Sequence, residues 1–390
     1  MDNAAAARHA LPLEPIMDTA RKEAGAGDFR DLSFVPALKQ VLEIPGRLNF
    51  SADGLQTFQG NLVRALVNRL RYEADVAAHP EILEEDVSDP IVIIGLPRSG
   101  TTKLQRILSA DPTVQKTHAW KMFNPAPLPG EKYGDPAPRI AWAQAMTSAV
   151  ATINPDFNRI HEYEALEADE TCYIPLANFD YPLQWVPTSC GTYLKWVRTV
   201  DRTSPISWLK RMLQYLQWQD GGRRGPWLTK NPAHTGEIAE VLQVFPNATF
   251  IMAERDIPIT MASNIQMMWE IQRNSFVNLD PHVHGRGMLE YWSHELHRYL
   301  EQRRALGDRA KVVEASYRQI LADPIGVARD AWKLHGLPWT KAGEGAMRGW
   351  ERDNPAHKFG KFKYDLADFG LTAADVEKAF GDIAERWRGL

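Results

Sequence analysis

The densest concentration of chemistry-bearing residues lies where an apolar run breaks into a glycine turn with a single arginine. From Pro90 the chain reads Pro-Ile-Val-Ile-Ile-Gly-Leu-Pro-Arg-Ser-Gly-Thr-Thr-Lys-Leu-Gln, ending at Gln105. A strand that enters such a turn and leaves as a helix points backbone N–H groups and the positive end of the helix dipole at one place, where an anion is stabilised. Gly95 and Gly100 stand at the spacing of the phosphate loop GxxxxGK[ST], but Thr101 replaces the lysine and the loop's cation is Arg98. Ser99, Gly100, Thr101 and Thr102 add N–H and hydroxyl donors. A later run, Ala248 to Ala253, ends in Glu254-Arg255-Asp256, where the cation dominates over any magnesium-binding carboxylate. The expected ligand is therefore an anionic nucleotide without a triphosphate–magnesium centre.

Holding such a loop requires a sheet. Short apolar runs at 90–95, 226–229, 248–253 and 311–315 are each followed by a helical pattern, which predicts parallel strands joined by right-handed crossovers. The expected fold class is α/β, a three-layer α/β/α arrangement of the P-loop NTPase type with a central parallel sheet. Residues 1–85 are expected to form an N-terminal helical segment. Within them Leu55, Phe58, Leu62, Leu66 and Leu70 recur at helical spacing behind Ser51, a candidate cap. Residues 86–390 are expected to form the α/β domain. The stretch 120–225, rich in Pro and Trp, reads as a helical insertion on the substrate side.

Composition sets outer limits. A chain of 390 residues can bury one large core with a helical appendage, and a net charge of −4 gives no reason to expect nucleic acid as a partner. Two cysteines, Cys172 and Cys190, make neither a disulfide framework nor a zinc pattern, so no metal is expected. No basic segment leads into a long apolar run, and nowhere do enough apolar residues adjoin to span a bilayer. A cytoplasmic protein is the expectation.

The loop Gly95-Leu96-Pro97-Arg98-Ser99-Gly100-Thr101-Thr102 resembles the 5′-phosphosulfate loop of sulfotransferases that use 3′-phosphoadenosine 5′-phosphosulfate, above all the bacterial branch and its tyrosylprotein relatives. Three later stretches are similar to that family in the same order. Trp227 to His234 resembles its strand and K[ST]PxH turn, and Phe245 to Arg255 with Ser263 its 3′-phosphate pattern. Lys311 to Tyr317, Asp323-Pro324 and Leu337-Pro338-Trp339 resemble its last strand and closing helix.

The resemblance implies in-line transfer of a sulfuryl group to the hydroxyl of a small apolar or aromatic acceptor. It assigns Arg98, Ser99, Gly100, Thr101 and Thr102 to the 5′-phosphosulfate, and Lys230 to the bridging oxygen. Arg255 and Ser263 fall to the 3′-phosphate, and Tyr317, Lys361 and Lys363 to the closing side of the nucleotide. Lys361 and Lys363 belong to the alternation of cations and aromatics from His357 to Tyr364. His161 is the first choice for the acceptor's base, with His118 and Glu164 as rivals. Relatives place a glutamate after the tryptophan matched by Trp120, where this chain has Lys121. A homodimer is entertained as an assembly. The competing functions are a kinase-like phosphotransferase, disfavoured by the missing lysine, and a catalytically silent nucleotide-binding protein of the same fold.

Overall fold

A computed structural model describes residues 8–153, 163–182, 191–355 and 364–390. In these residues one five-stranded sheet runs in the order β2-β3-β1-β4-β5, with every pairing parallel. Its strands are β1 (Ile91–Gly95), β2 (Gln115–Lys116), β3 (Trp227–Lys230), β4 (Thr249–Glu254) and β5 (Lys311–Ser316). The four runs expected from sequence are β1, β3, β4 and β5. The edge strand β2 was not anticipated, because two residues are too few to show a period.

Side-chain alternation sorts the two faces of the sheet. Val92, Ile94, Phe250 and Met252 join one buried cluster, whereas Ile91, Ile93, Leu228, Ile251 and Ala253 join another with Leu104, Ile107 and Trp332. Helices cover both faces, so β1 is apolar along its whole length, and β3 and β4 are buried throughout although they carry Thr229, Lys230, Thr249 and Glu254. This is the expected three-layer α/β/α architecture.

The N-terminal stretch is helical from α1 (Leu13–Ala24) to the long α2 (Ala52–Ala78), whose first turn is capped by the Ser51 side chain accepting from Gly54 N–H. Its apolar face does not pack on the sheet. Phe58, Leu62, Leu66 and Leu70 instead share a cluster with Cys172, Leu176, Phe179 and Tyr193, all from the stretch between β2 and β3. The irregular middle of the chain thus has a helical wall behind it. Among the described residues no helix is long and apolar enough to cross a membrane.

Because β1 is central, with β3 on one side and β4 on the other, the chain reverses its direction of sheet growth beside β1. In open α/β sheets the crevice at the carboxyl ends of the strands beside such a reversal is the usual ligand site. Gly95, Lys230, Glu254 and Ser316 are the strand residues at that edge.

Candidate active site

β1 ends at Gly95, whose φ of 126° and close approach to β4 require glycine: an added Cβ would lie 2.5 Å from the Ala253 carbonyl oxygen. The turn then passes through left-handed backbone at Arg98 (φ 76°) and Gly100 (φ 89°) before helix α3 (Thr101–Leu108) begins. Arg98 takes a conformation that L-residues seldom adopt, and the Arg255 guanidinium holds it by donating to the Arg98 carbonyl. Ser99 is spent inside the turn, its Oγ donating to Leu96 O at 2.7 Å. Backbone N–H groups and the threonines at the head of α3 are left to face an anion.

Arg98 itself points away from β3. Its Nε donates to Ser263 Oγ at 3.1 Å, in the second turn of α4 (Ile257–Gln272), a helix that Asp256 caps and Pro258 helps to open. Arg255 lies 4.1 Å over the ring of Tyr317, and a Cβ on Gly100 would come within 3.1 Å of that same ring. Arg98, Arg255, Ser263 and Tyr317 therefore form one cationic end. Burial, and then the neighbouring charge of Arg255, push the Arg98 guanidinium below its ordinary value. An anion between the two guanidinium groups relieves that repulsion.

The other end is built around Lys230, the last residue of β3 and fully buried. Its Nζ donates to Thr102 Oγ1 at 3.2 Å and lies 2.5 Å from Glu170 Oε1. Glu170 is delivered by backbone bonds, not by a regular element. Asp169 N–H donates to Thr117 O at 2.9 Å, Gln105 Nε2 of α3 donates to Asp169 O at 2.9 Å, and Thr171 Oγ1 donates to Lys230 O at 3.3 Å. These bonds pin the 168–171 stretch between α3 and β3. The Glu170 side chain remains 15% exposed, open on the side where an acceptor would arrive.

Among the anticipated bases, His161 is outside the described residues, and Lys361 and Lys363 of the closing loop are outside them too. His118 is half-buried, and burial together with Lys121 and Lys116 pushes its imidazole down to about 3. Glu164 lines an open polar cavity with Gln144, Thr147 and Ser148. Lys121 turns inward, paired with Asp220 and near the rings of Trp120 and Trp227. Glu170 was passed over in favour of a histidine; the signal was the acidic pair Asp169-Glu170 within the same stretch.

A cavity lined by Leu62, Met122, Phe123, Tyr173, Phe179 and Trp208, together with the polar Asn61, Arg64 and Asn68, adjoins the turn that follows Glu170. Tyr173 closes the 3₁₀ turn that follows Glu170 and shares a hydrogen bond of 2.8 Å with Tyr163. No group of three or more His, Cys, Asp or Glu among the described residues is placed to hold a metal ion.

Backbone N–H groups at a helix head, two guanidinium groups and a buried lysine thus meet at the carboxyl edge of a parallel α/β sheet, an arrangement that suits an anionic group. Residues 90–341 match the sulfotransferase family, and the chain belongs to that family. A sulfotransferase of Mycobacterium tuberculosis, STF1, superposes with a TM-score of 0.83 at 25% identity, over 96% of this chain and all of that one. STF9 of Mycobacterium avium gives 0.82 at 24% identity over 96% of each. The omega-hydroxy-beta-dihydromenaquinone-9 sulfotransferase Stf3 of Mycobacterium bovis is 23% identical over 313 residues, 78% of this chain and 77% of that protein.

Proposed function

We propose that the protein transfers a sulfuryl group from 3′-phosphoadenosine 5′-phosphosulfate to the hydroxyl of an apolar acceptor, leaving adenosine 3′,5′-bisphosphate. The observation that carries this reading is the meeting of Lys230, Thr102 and Glu170 at the head of α3, with contacts of 3.2 and 2.5 Å to the ammonium. The bond between sulfur and the bridging phosphate oxygen breaks as the acceptor oxygen bonds to sulfur. Lys230 neutralises the charge that develops on the bridging oxygen, and Glu170 takes the hydroxyl proton. The N–H groups from Gly100 to Thr102 and the Thr101 and Thr102 hydroxyls receive the 5′ end. Arg98 serves the 3′-phosphate with Arg255 and Ser263, since its guanidinium already lies against Ser263.

An apolar alcohol, with hydrocarbon in the cavity beside Tyr173 and its hydroxyl at Glu170, suits the lining of that cavity. The Stf3 relatives are named for an omega-hydroxylated dihydromenaquinone, an alcohol of this chemical kind. Calorimetry tests the donor assignment. Adenosine 3′,5′-bisphosphate is expected to bind with EDTA present and to stabilise the fold by about 2.7 kcal/mol at about 100 times its Kd. Tighter binding of magnesium-ATP would sink the assignment. Sulfuryl transfer from the labelled donor is then assayed on isoprenoid alcohols against simple phenols.

A further inference from the structure

The turn after β3 touches both ends of the transfer site from behind. It is a 3₁₀ turn, Pro232–Glu237, every residue of which is buried. Thr235 Oγ1 accepts the Gly95 N–H at 2.9 Å, and Asn231 N–H donates to Ile93 O at 3.1 Å, so the turn is bonded to the strand that launches the phosphate loop. Asn231 directly follows Lys230. Its Oδ1 caps Ala233 N–H at 3.1 Å, and its Nδ2 reaches Tyr181 Oη at 3.0 Å and His234 Nε2 at 3.2 Å.

With both amide hydrogens of Asn231 spent in this way, His234 Nε2 accepts and His234 Nδ1 carries the hydrogen, donated to Glu237 Oε2 at 2.9 Å. Beyond Glu237 stands Arg202, 3.6 Å away and bound through two nitrogens to Glu295 at 2.7 and 3.0 Å. A Cβ on Gly236 would fall 2.2 Å from Glu295 Oε2, so only glycine admits this packing. The network joins no surface feature, and no described contact links it directly to the Lys230 ammonium. Its output is the backbone position of Lys230 and of Gly95.

We propose that the Pro232–Glu237 turn fixes the separation of Lys230 from the phosphate loop, with Thr235 and His234 as positioning residues for the 5′ end of the donor. The inference rests on the sulfuryl-transfer reading given above. Of the 3′ clamp, Arg255 stands just past β4 and Ser263 on α4, both outside this turn, and Arg255 holds the Arg98 carbonyl independently of it, so the 5′ end responds more strongly than the 3′ end.

The test compares affinities for adenosine 3′,5′-bisphosphate and adenosine 3′-monophosphate by calorimetry on the full chain; their ratio isolates the 5′-phosphate. Thr235→Val leaves the Gly95 N–H without its acceptor, and the ratio is expected to fall by about tenfold. Binding of the monophosphate should stay at the wild-type level. Thr235→Ser, which keeps the hydroxyl, should restore the ratio. His234→Asn keeps a donor for Glu237 but loses the acceptor for Asn231, and should lower the ratio about fivefold at a near-wild-type unfolding midpoint. A ratio unchanged in both Thr235→Val and His234→Asn, or an equal loss for both nucleotides, overturns the inference while leaving the donor assignment intact. Wild-type protein that binds neither nucleotide overturns both.

Discussion

The donor end and the acceptor end of this site are built by different means. The donor-side groups sit at or near strand ends and on a helix: Gly95 ends β1, Arg98 lies in the turn after it, Arg255 just past β4, Ser263 in the second turn of α4 and Tyr317 just past β5. The acceptor-side carboxylate sits on a stretch without regular structure, held by bonds to Thr117, Gln105 and Lys230. A strand end is placed by the ladder behind it, whereas Glu170 is placed by a few long-range bonds. Changes at the acceptor end should therefore act through single contacts, and changes at the donor end through the strand ends and the turns bonded to them.

The largest expected effect comes from the junction of the two ends. Glu170→Gln should lower kcat by about 10² to 10⁴ for an aliphatic alcohol, the usual range for a lost general base. Lys230→Ala should cost about 10² or more for any acceptor, because the bridging oxygen then leaves without a cation. An acidic phenol needs no base and should rescue the first variant but not the second. If Glu170→Gln sulfates an alcohol at the wild-type rate, the acceptor end has been assigned to the wrong residue and His161 regains first place.

A smaller effect belongs to the donor end alone. Arg255→Ala removes the guanidinium that holds the Arg98 carbonyl and stacks on Tyr317. It should weaken adenosine 3′,5′-bisphosphate by about 2 kcal/mol, near thirtyfold, with kcat at saturating donor changing less. Equal losses in affinity and kcat would erase the distinction between the ends. Ser263→Ala should follow in the same direction by about 1 kcal/mol, the common worth of one hydrogen bond.

A separate effect, on stability and not on activity, lies at His118. Burial lowers its imidazole from 6.5 to about 3. Between those values the unfolded chain binds a proton that the folded protein does not, so His118 contributes a loss of stability as pH falls through that window. Denaturant unfolding of wild type and His118→Gln at about pH 7 and about pH 4.5 should show the variant gaining relative stability on acidification. Parallel changes in the two proteins would remove His118 from the account.

Legibility in the sequence follows the same division. Short apolar runs followed by helical periods announced four strands, and the glycine spacing announced the turn, because strand pairing and phosphate-loop geometry impose local patterns on neighbouring residues. Ser51 marked a helix start for the same local reason. Neither the pairing of Lys230 with Glu170 nor the reach of Arg98 to Ser263 leaves a local pattern, since the partners are joined only by the folded chain. His118 shows the same limit: its type suggested a base, and the burial that lowers its imidazole leaves no local pattern either.

What the sequence by itself determined is the set of elements and the chemistry at their ends: a parallel α/β sheet, a glycine turn with one arginine, and a lysine closing β3. These are encoded in residue type and short spacing, through backbone sterics and the two-sided burial of the strands. Only the folded chain sets which groups each cation lies against and which carboxylate meets the lysine. A charge's role depends on its desolvation and on neighbours brought from far along the chain, and both are fixed only when the core closes.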